Sequence, residues 1–383
     1  IMPSLVGSEM CIRDSDYDFI NKEILGKPDE TQKHAEFWNS NLVQEVFYRN
    51  GNHKFKWVTW LHGRKKNTPK FLTATVPSKK STADSSFRNV LNYTTIIKKY
   101  ILDVSYGYSG SGFNYWDYND SIFTDYFISE HFLLVGLKFK FKKFKFRLKS
   151  RTERQTVINT RYKGDPLRIQ NFNTAFINYN PTDNFLVSAV VGSQASSITP
   201  SVIPIGSLGY KFKLSQNKLI IKGNLANHYR YPTFNDLFWD TGGNLELKPE
   251  KGWNIEQSFS FKLKQHSIQS EFYYSNVKDW IQWIPSTAVW FPQNVKGVTS
   301  YGADLNYKFK FKLKKIKLSL NSGIAYTRTT VTESEIVDDP AIGNQATYVP
   351  LLNGNASLAV IWKRYVLKYQ TAYKGKQLSL IHI

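Results

Sequence analysis

The residues able to do covalent chemistry are sparse and badly spaced. The seven histidines are scattered and show no metal-ligand spacing, and His228 stands alone beside the most patterned segment of the chain. No nucleophile–histidine–acid set, HExxH motif or glycine-rich phosphate loop occurs. The single cysteine, Cys11, leaves no intrachain disulfide and no cysteine metal site. No enzymatic activity is expected. What remains is recognition chemistry, carried by aromatic and polar side chains on long connections. The ligand-contact candidates are Tyr115, Trp116 and Tyr118 in FNYWDYND, Phe238 and Trp239 in LFWDTGGN, and Trp283, Trp290 and Phe291. Such rings close over a flat, bulky molecule at little cost in rotamer entropy. Membrane-interface anchoring, or packing within the loops, competes with ligand contact for each of them. Asp117, Asp120 and Asp240 are able to face a cation such as calcium. Their spacing makes no ligand set, so no metal and no resident cofactor is expected.

The elements that position these residues are strands. Alternation of apolar and polar residues runs through HKFKWVTWL (53–61), GLKFKFKKFKFRLK (136–149), GYKFKL (209–214), SFSFKLK (258–264) and NYKFKFKLKKIKLSLN (306–321). The count is about sixteen strands of roughly 9–14 residues. Short turns are expected near 50–53, 98–100, 142–144, 181–183, 215–217, 265–266, 314–315 and 363–364. Long connections are expected near 62–84, 109–121, 152–167, 194–202, 231–252, 279–299 and 329–351. Short and long alternate without a break, so tight turns gather at one end and long loops at the other. That segregation predicts an all-β, antiparallel up-and-down transmembrane barrel of the outer-membrane type. Phe139, Phe141 and Leu313 then face lipid, and Lys138, Lys140 and Lys312 face a wet lumen.

Composition agrees. The 383 residues include 10 Trp, 23 Tyr and 26 Phe, and the net charge is +21. Mean hydropathy is −0.41, as expected when half of each strand points at water. No apolar run approaches the length of a membrane-spanning helix. Trp57, Trp60, Tyr100, Tyr106, Tyr108 and Trp362 lie near strand ends, where amphipathic rings prefer the membrane–water interface. The lysine ladders interleaved with phenylalanine invite a nucleic-acid reading, but at period two Lys and Phe point to opposite faces. A stacking groove needs both on one face, so no nucleic-acid partner is expected.

Residues 229–261 hold the most specific pattern. Thr233-x-x-Asp236 after Pro232 reads as a capped helix start, Gly242-Gly243 as a turn, and Lys248-Pro249 as an extended corner. The order Arg230-x-Pro232-Thr233-x-x-Asp236, then Gly243-Asn244-x-x-Leu247-x-Pro249-Glu250, then Asn254-x-Glu256 resembles the outer-loop signature of TonB-dependent outer-membrane receptors. Residues 276–309 and 348–362 resemble later segments of the same family. The resemblance covers roughly residues 36–376 and implies a barrel of about twenty-two strands around a plug. About sixteen of those strands are expected here, with no plug segment, so the barrel is expected to be incomplete. It implies a monomer in the outer membrane that takes up a scarce bulky nutrient, cobalamin or a ferric siderophore. A TonB-type partner would act on it through the plug. The alternative is a passive porin-like or structural barrel. The segments PSLVGSEMCIRDS and LSLIHI resemble translated sequencing-adapter sequence. Residues 1–15 and 378–383 are therefore expected to be non-native, and 16–377 to be the partial barrel.

Overall fold

A strand that alternates apolar and polar residues must pair on both edges and present its two faces to two different solvents. The computed structural model shows how this chain does so. It describes residues 2–13, 17–199, 202–214, 218–285, 289–334, 338–339, 341–346 and 349–377. In chain order the first strands are β1 (Met2–Arg13), β2 (Tyr17–Ile20), β3 (Asp29–Gln32), β4 (Phe37–Asn50), β5 (His53–Thr68), β6 (Lys80–Ile97) and β7 (Tyr100–Asp117). Next come β8 (Ile122–Phe141), β9 (Phe144–Asn159), β10 (Leu167–Thr182), β11 (Phe185–Ser196), β12 (Ile203–Leu214) and β13 (Leu219–Arg230). A short helix, α1 (Phe234–Phe238), precedes β14 (Glu250–Leu263), β15 (His266–Pro285), β16 (Trp290–Leu313), β17 (Ile316–Ser334), β18 (Leu352–Trp362) and β19 (Tyr365–Lys374).

Strands β4 to β19 form an antiparallel meander in which each pairs with its sequence neighbours. Strand β1 extends the sheet along the free side of β4, making it 17-stranded. Residues Met2–Arg13, set apart in the sequence as foreign, thus run as a strand; residues 14–15 and 378–383 lie outside the described part. Among the described residues no ladder joins β19 to β1, so the barrel wall is incomplete. Strands β2 and β3 pair only with each other.

Two-residue turns join β4 to β5, β6 to β7, β8 to β9, β10 to β11, β14 to β15, β16 to β17 and β18 to β19. The expected turn at 215–217 falls outside the described residues. The opposite end carries the long connections, of which 231–249 between β13 and β14 is the most folded. The strands themselves are longer than the sequence suggested. Of β4 to β19, the shortest is the 10-residue β19 and the longest the 24-residue β16. Segments 109–117 and 280–285, expected in loops, continue β7 and β15 because their backbone groups keep finding partners on β8 and β16.

Directly paired residues share a face, which separates wall from lumen. Glu45, Lys56, Asp103, Lys138, Glu130 and Arg151 fall on one face. There they pair as Lys56–Glu45 at 2.8 Å, Lys138–Asp103 at 2.6 Å and Arg151–Glu130 at 3.1 Å. Leu133, Val135, Phe141 and Leu148 fall on the other and are exposed. In a membrane that apolar face is the outside, as the lysine–phenylalanine ladders require. Trp60 departs from the expected interface set. It shares the lumen face with Arg88, whose guanidinium lies 4.5 Å from its ring centroid.

The face assignment is testable on adjacent residues of β8. Val135→Arg, on the lipid face, is expected to destabilise the protein refolded in vesicles by about 2–4 kcal/mol. Leu134→Arg, on the lumen face, is expected to cost much less. Urea titration followed by Trp fluorescence checks this, and equal losses would overturn the assignment.

Candidate functional site

The connection 231–249 is a folded unit that closes over the outer end of the wall. Proline at 232 cannot donate to a ladder, so β13 ends at Arg230. Thr233 then caps α1: its hydroxyl accepts from the Asp236 N–H at 3.2 Å, and Asp236 accepts from the Thr233 N–H at 2.9 Å. The reciprocal capping expected from the sequence is therefore present. The other Asp236 oxygen accepts from the Trp283 indole N–H at 2.9 Å, which ties the helix to β15. Leu237 and Leu247 pack on Ile281 in a small core, with Ile198 and Phe238 against it.

The base of the loop is an ion pair. Arg230 and Glu250 end facing strands and meet in two charge-assisted bonds of 2.7 and 2.5 Å. Glu250 also accepts the Ile281 N–H at 2.9 Å. Beyond the helix, Gly243 donates to the Trp239 carbonyl at 2.7 Å. A Cβ at Gly243 would sit 2.6 Å from the Leu237 carbonyl oxygen, so only glycine fits. Asn244 accepts from Glu246 N–H and donates to the Pro292 carbonyl at 3.2 Å. Pro249 sits between Lys248, bonded to Asn294, and the buried Glu250.

Three residues missed in the sequence complete the unit. Asn294 accepts from Lys248 N–H and donates to the carbonyls of Lys248 and Asp279, clamping the loop to the β15–β16 hairpin. Arg168 donates to the Pro232 carbonyl at 3.0 Å, to Gln155 at 3.0 and 2.8 Å, and lies 4.4 Å from the Phe234 ring centroid. Tyr162 meets Trp239 edge to face, and its burial pushes the phenol pKa up to about 12. Lys163 N–H and Asp240 N–H extend this contact between loops, bonding to the Phe238 and Arg161 carbonyls. None stands in a local motif. Each acts across 46 or more positions or through a backbone contact, which spacing alone does not reveal.

The predicted aromatics divide into two groups. Phe238, Trp239 and Trp283 are part of the loop's own packing, while Trp290 is 60% exposed beside Gly242 and Phe291 is half-buried. Tyr115, Trp116 and Tyr118 sit apart, at the outer end of β7. The Tyr115 hydroxyl donates to Asp117, Trp116 is on the lipid-side face, and Tyr118 packs edge-on against Phe123. The motif residue Glu256 is not in the loop; it lies on the lumen face of β14 opposite Asn224 and Tyr273. Asp117 is buried and meets Lys80 Nζ at 2.7 Å, with Asp120 at 3.5 Å from the same nitrogen. An internal cation thus answers these carboxylates, and Lys80 holds the Asp117 carboxyl below its ordinary range. A cleft of 370 Å³ on β5 to β8 is lined by His62, Arg64, Asp84, Ser111, Phe113 and Tyr126. A lower cavity of 560 Å³ is basic, with Lys138, Lys140, Lys145 and Arg147 around it. These surfaces can hold and sort a ligand by shape and charge; they assemble no bond-making set.

Residues 16–378 match the family described as TonB dependent receptor-like, beta-barrel. One hundred residues are 35% identical to the Vitamin B12 transporter BtuB of Photobacterium profundum, which is 24% of this chain and 16% of that protein. The FrpB iron transporter of Neisseria meningitidis (F3-3 variant) superposes with a TM-score of 0.74 at 11% identity. The match covers 96% of this chain and 64% of that one. The siderophore receptor PirA of Pseudomonas aeruginosa gives 0.68 at 10% identity, covering 88% and 62%. The chain thus spans less than two thirds of each of these relatives.

Two outcomes test the site's construction. Glu250→Ala strands the Arg230 charge and the Ile281 N–H, and is expected to cost about 1–3 kcal/mol. Limited proteolysis should then cut within 231–249 while the wall stays resistant. At Asp117 the lowered carboxyl pKa contributes stability above the ordinary value near ~4, lost as pH falls through the lowered one. The exchange protection factors of the Asn119 and Asp120 amides, which donate to Asp117, should be high at neutral pH and fall only in acid. Unchanged protection in acid would remove that role.

Proposed function

Since the chain belongs to the TonB-dependent receptor β-barrel family, we propose that it forms the wall of an outer-membrane receptor for a scarce, bulky nutrient, cobalamin or a ferric siderophore. The observation that carries the reading is the self-capped loop 231–249. It is held by Arg230–Glu250 below, Trp283 at the side and Asn294 across, and it leaves Trp290 exposed at the outer mouth. A loop tied at so many points is preorganised, so ligand capture spends little energy on ordering it. The stretch of identity to a vitamin B12 transporter favours the corrinoid, and the structural likeness to a siderophore receptor keeps the iron chelate in view. Import driven by a TonB-type partner through a plug is part of the proposal, and no step of it requires covalent catalysis.

Titrating the detergent-solubilised protein with cyanocobalamin and, separately, with ferric siderophores, while following Trp fluorescence, tests the substrate. Saturable quenching by the corrinoid alone assigns cobalamin, and by the chelate alone assigns iron. Binding of neither would sink both ligands and turn the search to other bulky nutrients such as glycans or peptides. Pro249→Ala should weaken binding about two- to fivefold, the equivalent of roughly 0.4–1 kcal/mol of loop rigidity, without harming membrane insertion.

A further inference from the structure

The tight-turn end of the wall carries its own pattern. Lys98-Lys99, Lys142-Lys143, Lys314-Lys315 and Lys363-Arg364 fill four of the two-residue turns, and Lys264 begins a fifth. All are exposed. Among the described two-residue turns only Asp183 is acidic. The backbone makes this choice unexpected. Lys98, Lys142, Lys264, Lys314 and Lys363 have φ of 54°, 51°, 47°, 48° and 51°. That is the left-handed region, where glycine or asparagine is the ordinary occupant of such a turn. Gly51 takes that ordinary choice in the turn between β4 and β5. Lysine therefore recurs where the local geometry disfavours it.

What the cations adjoin gives them a use. The lipid-side face next to these turns is a belt of packed rings. Phe139 and Phe146 stack at 4.8 Å, Phe144 and Tyr179 at 4.5 Å, and Phe185 and Phe212 at 4.1 Å. The cations lean onto its edge. Lys99 lies 5.5 Å from the Tyr100 ring, Lys142 5.6 Å from Phe141, Lys363 5.3 Å from Trp362 and Arg364 5.4 Å from Tyr365. Aromatic rings at a strand end sit at headgroup depth, so amines a few ångströms beyond them stand at the level of the lipid phosphates. Lys143 is partly occupied, donating to the Pro181 carbonyl; the remaining turn cations have no carboxylate partner among the described residues.

We propose that this rim is a binding surface for the anionic headgroups of phospholipids in the leaflet it meets. It rests on the barrel's place in a membrane and not on what the barrel transports. Basic side chains at a membrane surface attract anionic lipid roughly additively, and the turns hold them in fixed positions around the wall.

The test compares two variants of equal charge loss in the full chain. The rim variant carries Lys98→Asn, Lys99→Gln, Lys142→Asn, Lys143→Gln, Lys314→Asn and Lys315→Gln; asparagine suits the left-handed positions, so these turns should fold. The lumen variant carries Lys140→Gln, Lys145→Gln, Lys308→Gln, Lys310→Gln, Lys312→Gln and Lys317→Gln. Each is matched to the parent in strand content by circular dichroism, then mixed with phosphatidylcholine vesicles with or without phosphatidylglycerol. Phosphatidylglycerol should raise partitioning of the parent by about tenfold or more. The gain should fall by most of its value in the rim variant, which keeps Lys264, Lys363 and Arg364, and persist undiminished in the lumen variant. An undiminished gain in the rim variant, or equal loss in both, would overturn the proposal, the second outcome showing that net charge alone is at work.

Discussion

Backbone amides and carbonyls that cross hydrocarbon have no water to bond, so each must find its partner within the protein. Everything else in this structure follows from that requirement. It forces a sheet of neighbouring strands, and the sheet's two-residue side-chain period then assigns every position to lipid or to lumen. Phe139 and Lys138 are adjacent in sequence yet serve opposite solvents. Where Lys138 meets Asp103 the lumen face even supplies its own counter-charge. The aromatic rings on the outer face have no such freedom, and they pack on one another across strands instead.

Beyond the membrane the requirement relaxes, and the chain uses the freedom at only one end. The long loops are where backbone groups turn to side-chain partners. Asp236 serves a backbone N–H with one oxygen and an indole with the other, while Asn294 satisfies three backbone groups at once. The result is a loop whose rigidity comes from polar bonds more than from its small apolar core. The base pair Arg230–Glu250 is where wall and loop meet, since both residues close a strand ladder and one of them also reaches across to β15.

The wall was legible in the sequence because its signal is periodic and repeated. The alternation of short and long connections, the outward phenylalanines and the capped start at Thr233 could all be read from local spacing. The strand ends could not. Residues 109–117 and 280–285 carry the glycine and aromatic composition of loops, yet they stay in ladders because a partner strand is alongside. The candidate ligand-contact aromatics were harder still. Trp283 and Trp239 look alike as candidates, but their bonds to Asp236 and Tyr162 are visible only once distant loops meet. Arg168 and Tyr162 were missed for the same reason.

The meander has a further consequence for assembly. From β4 to β19 every ladder joins strands that are consecutive in the chain. Each ladder therefore closes only the connection between its own two strands, and the entropy of closure grows slowly with loop length. By that rule the 19-residue span 231–249 costs about 2 kcal/mol more to close than a two-residue turn, and it carries its own helix and core to offset that cost. Wall width is thus a modular property. One hairpin, two strands at a time, can be added or removed without changing the register of the ladders that remain, and the long loop beside it comes or goes with it.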